Sequence, residues 1–387
     1  MSISIQQIST PIYHYDTALL RRTLDTLLAA SGKYPNYQVH YAIKANANPA
    51  LLDIIQQAGL GIDCVSGGEL RCALDAGFSA SSIVFAGVGK SDWEIRLALE
   101  NEILCLNVES LAELCVIQEI AVQMNRVARV CLRINPDVQA HTHTHIVTGR
   151  AEDKFGIDWQ DVMPVIEQAQ EMPNIDLKGL HFHIGSQITD MQDFVDLCHR
   201  INLIQEYLST TDFCPEIINV GGGLGIDYYQ PSTNPIPDFE AYFAVFAEHL
   251  QLREGQSLHF ELGRAIVAQC GSLITRVLYV KPAADKQFVI VDAGMTELIR
   301  PALYGAYHHI DNLTSQQQEK CMYDVVGPIC ESSDVFAADR LLPLTQRGDI
   351  LAIRSAGAYG ESRASCYNCR RLPQAILDQH PLLKILN

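Results

Sequence analysis

The chain has 387 residues, of which 48% are hydrophobic and 19% charged, a globular composition far from that of disorder. Its formal net charge of -17 argues against a nucleic-acid footprint and against polybasic docking on anionic membrane. Met1–Pro11 carries no secretory pattern, no apolar stretch is long enough to span a bilayer, and the 12 cysteines lack disulfide-framework spacing. Together these predict a cytoplasmic protein with reduced thiols.

Short apolar runs alternate with amphipathic segments for about two-thirds of the sequence. Strands are predicted at Val39–Ile43, Gly61–Val65, Ser82–Phe85, Leu104–Asn107, Ala128–Ile134, Gly179–Ile184, Ile217–Val220 and Ser257–Glu261. Helical spacing fills most of the gaps, as in Asn48–Ala58, Gly67–Ala76, Trp93–Asn101, Leu111–Met124 and Phe194–Leu208. About eight strand–helix units in roughly 230 residues suit a (β/α)8 barrel better than an open doubly wound sheet. From about Ile266 the rhythm becomes β-rich, with runs at Ser272–Val280, Gln287–Asp292, Tyr323–Val326 and Asp349–Ile353, and the strand-like Pro11–Tyr15 can pair with them. The expectation is a TIM-like barrel over residues 28–264, plus a β-domain, barrel-like or sandwich-like, from residues 1–27 and 265–387.

Five stretches carry candidate chemistry. Lys44, in Tyr41-Ala-Ile-Lys-Ala-Asn46, ends an apolar strand, where burial or nearby cations can make an amine nucleophilic; a strand-end lysine reaching solvent is the plain alternative. His181 and His183 alternate on one strand face and can stack on a planar ring, bind a metal or sit satisfied in a core. Gly221–Gly223 and Gly225 follow a strand and leave backbone N–H groups free for a phosphate, without the GxGxxG spacing of a dinucleotide site; a tight barrel turn is the lesser alternative. Glu261, in Glu-Leu-Gly-Arg264, is placed to hold a pyridine nitrogen protonated or to pair with Arg264. Cys330-Glu331 after Gly327-Pro328 is an exposed reactive thiol or a buried cysteine.

Read in collinear order, these stretches resemble the fold-type III pyridoxal-phosphate enzymes of the alanine racemase-like barrel class, and among them the diaminopimelate decarboxylases. Ser66-Gly-Gly-Glu69, Asp153-Lys-Phe-Gly-Ile157, Asp292–His308, Val326–Phe336 and Gly357–Tyr359 extend the resemblance over nearly the whole chain. It implies pyridoxal 5'-phosphate as cofactor, with Lys44 as the Schiff-base lysine, His183 stacked on the ring and Glu261 at the ring nitrogen. It further implies that Ser186, Gly222, Gly223, Gly263 and Arg264 contact the phosphate. Arg264, Arg300 and Tyr304 would contact substrate carboxylate, Glu331 a substrate amino group, and Tyr359 both substrate and phosphate. Cys330 would be the proton donor, reaching into the neighbouring subunit's site in a homodimer with shared active sites.

The implied reaction is decarboxylation of meso-diaminopimelate to L-lysine and CO2, the last step of bacterial lysine biosynthesis. Arg300 favours that substrate, because a guanidinium beside the lone distal ammonium of ornithine or lysine would repel it. The alternatives are related decarboxylases of ornithine, lysine, arginine or carboxynorspermidine, a racemase, and a non-catalytic binding protein on the same scaffold. Leu262 stands where the family usually has proline. Cys366-Tyr-Asn-Cys369 brings a thiol where serine is usual, and one CxxC without a partner pair is weak evidence for zinc. His141, His143 and His145 alternate like a metal face, yet their segment resembles an active-site-proximal loop, and no metal is expected.

Overall fold

A computed structural model describes residues 9–136 and 154–377; His141, His143, His145 and Asp153 lie outside the described residues. The chain divides into two compact units. One comprises Leu24–Gly225 and Asp238–Gly263; the other takes the chain up to Thr23, Ile226–Pro237 and the chain from Arg264 onward.

After β1 (Ile12–Tyr15) and α1 (Thr17–Ser31), eight strands follow: β2 (Tyr37–Ala42), β3 (Gly61–Cys64), β4 (Ile83–Phe85), β5 (Cys105–Val108), β6 (Ala128–Arg133), β7 (Ile175–His181), β8 (Ile217–Asn219) and β9 (Ser257–Leu262). All neighbours pair in parallel, and β9 returns to pair with β2, closing the barrel. The intervening helices are α2 (Pro49–Gln57), α3 (Gly67–Asp75), α4 (Asp92–Glu100), α5 (Leu111–Met124), α6 (Val162–Glu171), α7 (Gln192–Leu208) and α8 (Phe239–His249). Short polar side chains start several of them: Asn48 accepts from the Ala50 N–H, Ser66 from that of Glu69, Ser110 from that of Glu113 and Asp238 from that of Ala241. Aromatic packing seals α8 to the barrel, with Phe243 and Phe246 each about 5 Å, ring to ring, from Phe260 of β9.

Inside the barrel, alternation sorts side chains into layers. Val84, Cys105, Cys131 and Ile217 form an apolar layer. Two residues further along β5 and β8, toward their C-terminal ends, Asn107 and Asn219 are buried and polar, as are His181 of β7, Glu261 of β9 and Asp63 of β3. His40 and His259 are also buried. His40 Nδ1 donates to the Ser82 carbonyl at 3.1 Å, so its Nε2 must accept from His259 Nδ1–H at 2.8 Å. His259 Nε2 in turn accepts from the Ser257 hydroxyl at 3.0 Å.

The other unit is a mixed sheet in the order β12 (Ile310–Asn312), β15 (Ile350–Ile353), β10 (Gly271–Pro282), β11 (Gln287–Val291), β13 (Lys320–Val326), β14 (Val335–Pro343), with β1 pairing β10 and β16 (Gln374–Leu377). The N-terminal strand therefore pairs as the sequence predicts, antiparallel with Ile12 opposite Ile274. Two short helices, α9 (Arg264–Val267) and α10 (Arg300–Tyr304), belong to this unit.

The histidine pair makes a pH prediction. Burial lowers both pKa values, and burial with the neighbouring His40 takes His259 to about 3. Depressed below the unfolded value of about 6.5, these neutral rings contribute stability that is full above that pH and is lost as pH falls toward the folded values. Each can add a slope of up to about 1.4 kcal/mol per pH unit. Denaturant unfolding of His259→Gln should lose less stability than wild type between pH 6.5 and 4; parallel curves would contradict the assignment.

Candidate active site

Lys44 sits in a single helical turn, Ile43–Ala45, directly after β2. Its Nζ donates to Asp63 Oδ2 on β3 at 3.1 Å, with the lysine side chain 38% exposed and the aspartate fully buried. Burial and the charge of Glu261 push the Asp63 carboxyl up to about 7, against the pull of Lys44.

Glu261, on β9, is held at both oxygens. Asn107 Nδ2 and Asn219 Nδ2 donate to Oε1 at 3.1 and 2.7 Å, and His181 Nε2 meets Oε2 at 3.1 Å. Burial alone would raise its pKa. The interactions with His181 and Lys44 outweigh burial and hold it well below the usual carboxylate range. The partners of this carboxylate come from β5, β7 and β8, so only the closed barrel can assemble them.

His183 lies two residues beyond the end of β7. The Gly222 N–H donates to its Nδ1 at 3.2 Å, which requires that nitrogen to be bare. Burial, with Arg133 and Lys44 nearby, pushes its pKa well below the usual value, so the imidazole is neutral. Gly222 thus orients His183, and its glycine identity has a packing reason too: a Cβ there would overlap the Glu261 carbonyl oxygen. Ser186 occupies the loop after β7, which is laced to the glycine run by Ile188 N–H to Gly223 O (2.9 Å) and Gly225 N–H to Ile188 O (2.8 Å). Gly263, directly after β9, packs against Ala42 and Ala45, on either side of Lys44.

The loops at this end are tied together by Glu109, just past β5. It accepts from the Gly87 N–H at 3.1 Å, from the Gly156 N–H at 2.9 Å and from Arg133 Nη1 at 2.8 Å. The Arg133 guanidinium lies over the Phe155 ring.

The second unit gathers another set. Arg264 Nη1 donates to the Tyr228 hydroxyl at 2.6 Å and its guanidinium lies 5.0 Å from the Tyr359 ring centre. Arg300 stacks over the same Tyr228 ring at 4.8 Å and donates from Nη1 to His308 Nε2 at 2.7 Å. Tyr304 accepts from Arg363 Nη1 at 2.9 Å. Cys330 and Glu331 are exposed, in the turn between β13 and β14. Asp334 shapes that turn by accepting from the Ile329 and Met295 N–H groups at 2.7 and 2.6 Å. Asn368 Oδ1 accepts from the Cys330 N–H at 3.2 Å, and Tyr367 donates to Glu331 Oε1 at 2.7 Å.

Sequence reasoning missed Asp63, Asn107, Asn219, Tyr228 and His308. The first three had a faint signal, each being the single polar residue inside a short apolar strand. The raised pKa of Asp63 makes a further prediction. Above its unfolded value of 3.8, ionising this carboxyl costs the folded state, and the cost grows as pH rises to about 7. Asp63→Asn should therefore melt higher than wild type at pH 8, by an amount worth on the order of 1 kcal/mol or more, with the gain shrinking toward pH 4. An equal or lower melting temperature at pH 8 would refute this.

Comparison with known proteins agrees with this geometry. The model for the pyridoxal-dependent decarboxylase family, pyridoxal binding domain, matches residues 20–268. A diaminopimelate decarboxylase from Bacteroides thetaiotaomicron is 60% identical over 367 residues, 95% of each chain. Another from Aquifex aeolicus is 39% identical, covering 98% of this chain and 89% of its own. Among solved structures, diaminopimelate decarboxylase from Helicobacter pylori complexed with L-lysine superposes with a TM-score of 0.89 at 39% identity, over 96% of this chain and 92% of that one. The chain belongs to the pyridoxal-dependent decarboxylases and, within them, to the diaminopimelate decarboxylase family.

Proposed function

We infer that this enzyme is a carboxy-lyase that converts meso-diaminopimelate to L-lysine and CO2 with pyridoxal 5'-phosphate as cofactor. The observation that carries the reading is the 60% identity to a diaminopimelate decarboxylase along 95% of both chains.

The residues present fit the cofactor. Glu261 is a buried carboxylate that stays ionised, as the partner of a protonated pyridine nitrogen must. His183 is a neutral, flat ring, suited to packing on another flat ring. The run Gly221–Gly223 offers backbone without side chains. Bound pyridoxal phosphate supplies an electron sink for the carbon that loses CO2.

Each side chain then has a task in this proposal. Lys44 anchors the cofactor covalently, and Asp63 takes up or returns the proton of its amine. Ser186, Gly223, Gly263 and Arg264 hold the phosphate, while Gly222 contributes by steering His183. Arg264, Arg300 and Tyr304 receive substrate carboxylate, and Tyr359 touches both substrate and phosphate. Glu331, held by Tyr367, takes a substrate ammonium. The Cys330 thiol delivers the proton to the carbon that lost CO2, acting in the partner's site of a homodimer. A cytoplasmic location fits the twelve free cysteines.

Cofactor-loaded protein should release CO2 from meso-diaminopimelate with a kcat/KM at least about a hundredfold above that for L-lysine or L-ornithine. Lys44→Ala should abolish the release. Turnover of ornithine or lysine instead would keep the cofactor chemistry and remove Arg300 as the selector. Mixing Lys44→Ala with Cys330→Ala chains should restore up to about a quarter of wild-type activity if sites are shared, and nothing beyond the parents if they are not.

A further inference from the structure

Arg300 is buried, and among the described residues its side chain has one hydrogen-bond partner, His308. The tautomer of that histidine is fixed by its surroundings. His308 Nδ1 lies 2.8 Å from the Arg354 carbonyl oxygen, which can only accept, so Nδ1 carries the hydrogen. Nε2 is then bare and accepts from Arg300 Nη1 at 2.7 Å. His308 is fully buried, its ring edge-on to Tyr228 with centroids 5.1 Å apart. Burial and the two nearby arginines take its pKa to about 3, so it remains neutral across the working pH range.

This is an unusual partner for a buried guanidinium. A carboxylate would bind it more strongly. A carboxylate would also cancel its charge and compete with any anionic ligand. A neutral imidazole fixes one nitrogen of the fork, leaving the positive charge uncancelled and the remaining N–H groups for a planar two-oxygen ligand. The neighbours follow the same logic: Tyr228, which meets both Arg300 and Arg264, offers a phenol ring and hydroxyl in place of a carboxylate.

We propose that His308 is a positioning residue for substrate selection, orienting Arg300 while leaving its charge uncompensated for the distal carboxylate of a diamino-dicarboxylic acid. The inference rests on the function proposed above and adds the device that makes Arg300 selective. No role for His308 follows from chemistry at the reacting carbon.

Two substitutions separate geometry from charge. His308→Gln keeps a neutral acceptor for Arg300 and a donor for the Arg354 carbonyl. His308→Glu keeps the acceptor and adds the cancelling charge. In cofactor-loaded enzyme, His308→Glu should raise KM for meso-diaminopimelate at least about tenfold, with kcat within about threefold and the cofactor absorbance unchanged. His308→Gln should return KM to within about threefold of wild type. An unchanged KM in His308→Glu, a fall in kcat without a change in KM, or equal damage by Gln and Glu overturns the inference. Should the glutamate variant fail to fold, His308→Leu against His308→Gln gives the same decision: leucine raises KM and glutamine restores it, and equal KM values overturn the proposal. A wild-type enzyme that leaves meso-diaminopimelate untouched overturns the substrate reading instead, whatever the variants do.

Discussion

The barrel interior is organised around one buried carboxylate. Glu261 is desolvated, and a lone charge there would be costly. Two asparagine amides and an imidazole from three other strands make it tolerable, and those donors converge only once β9 has closed on β2. Having admitted that charge, the interior resists a second of the same sign. Asp63 ionises reluctantly because it is buried and because Glu261 is already negative, so its proton is poised near neutrality beside Lys44. Burial lowers the pKa of His183, His40 and His259 and favours their neutral forms, against the pull of Glu261.

The other unit solves the opposite problem. Two of its buried charges are the guanidinium groups of Arg264 and Arg300; the Tyr228 phenol meets both, and the neutral His308 imidazole holds Arg300. One unit stabilises a buried anion with amide and imidazole donors; the other orients buried cations with a phenol and an imidazole.

The architecture was legible because strand–helix alternation survives in the sequence as apolar runs of about the right length. Leu111–Met124 was placed to the residue, since Ser110 caps its start and Asn125 turns left-handed at its end. β7 was displaced, predicted at Gly179–Ile184 where the ladder spans Ile175–His181. The alternating His-Phe-His-Ile continues the pattern past the last pairing, and the polar Asp176 and Lys178 hide its beginning. β14 was not separated from the Gly-Pro-Ile-Cys stretch before it, because its Ala-Asp-Arg centre has no apolar rhythm. Among site residues, those in glycine-rich or charged clusters stood out. Asn107 and Asn219 did not, because a lone asparagine in an apolar strand is only a faint local trace of a hydrogen bond made across a barrel. His308 was quoted only as part of a longer stretch, and its meaning comes from Arg354, 46 residues away in sequence.

Glu109 joins three post-strand segments: it sits just past β5, binds the Gly87 amide from the segment after β4, and binds the Gly156 amide from the segment after β6 together with Arg133 at the end of that strand. Lengthening or shortening any one of these segments displaces an anchor that the other two share. Loop variation on this rim is therefore correlated: new specificities would arise by exchanging the three segments as a block.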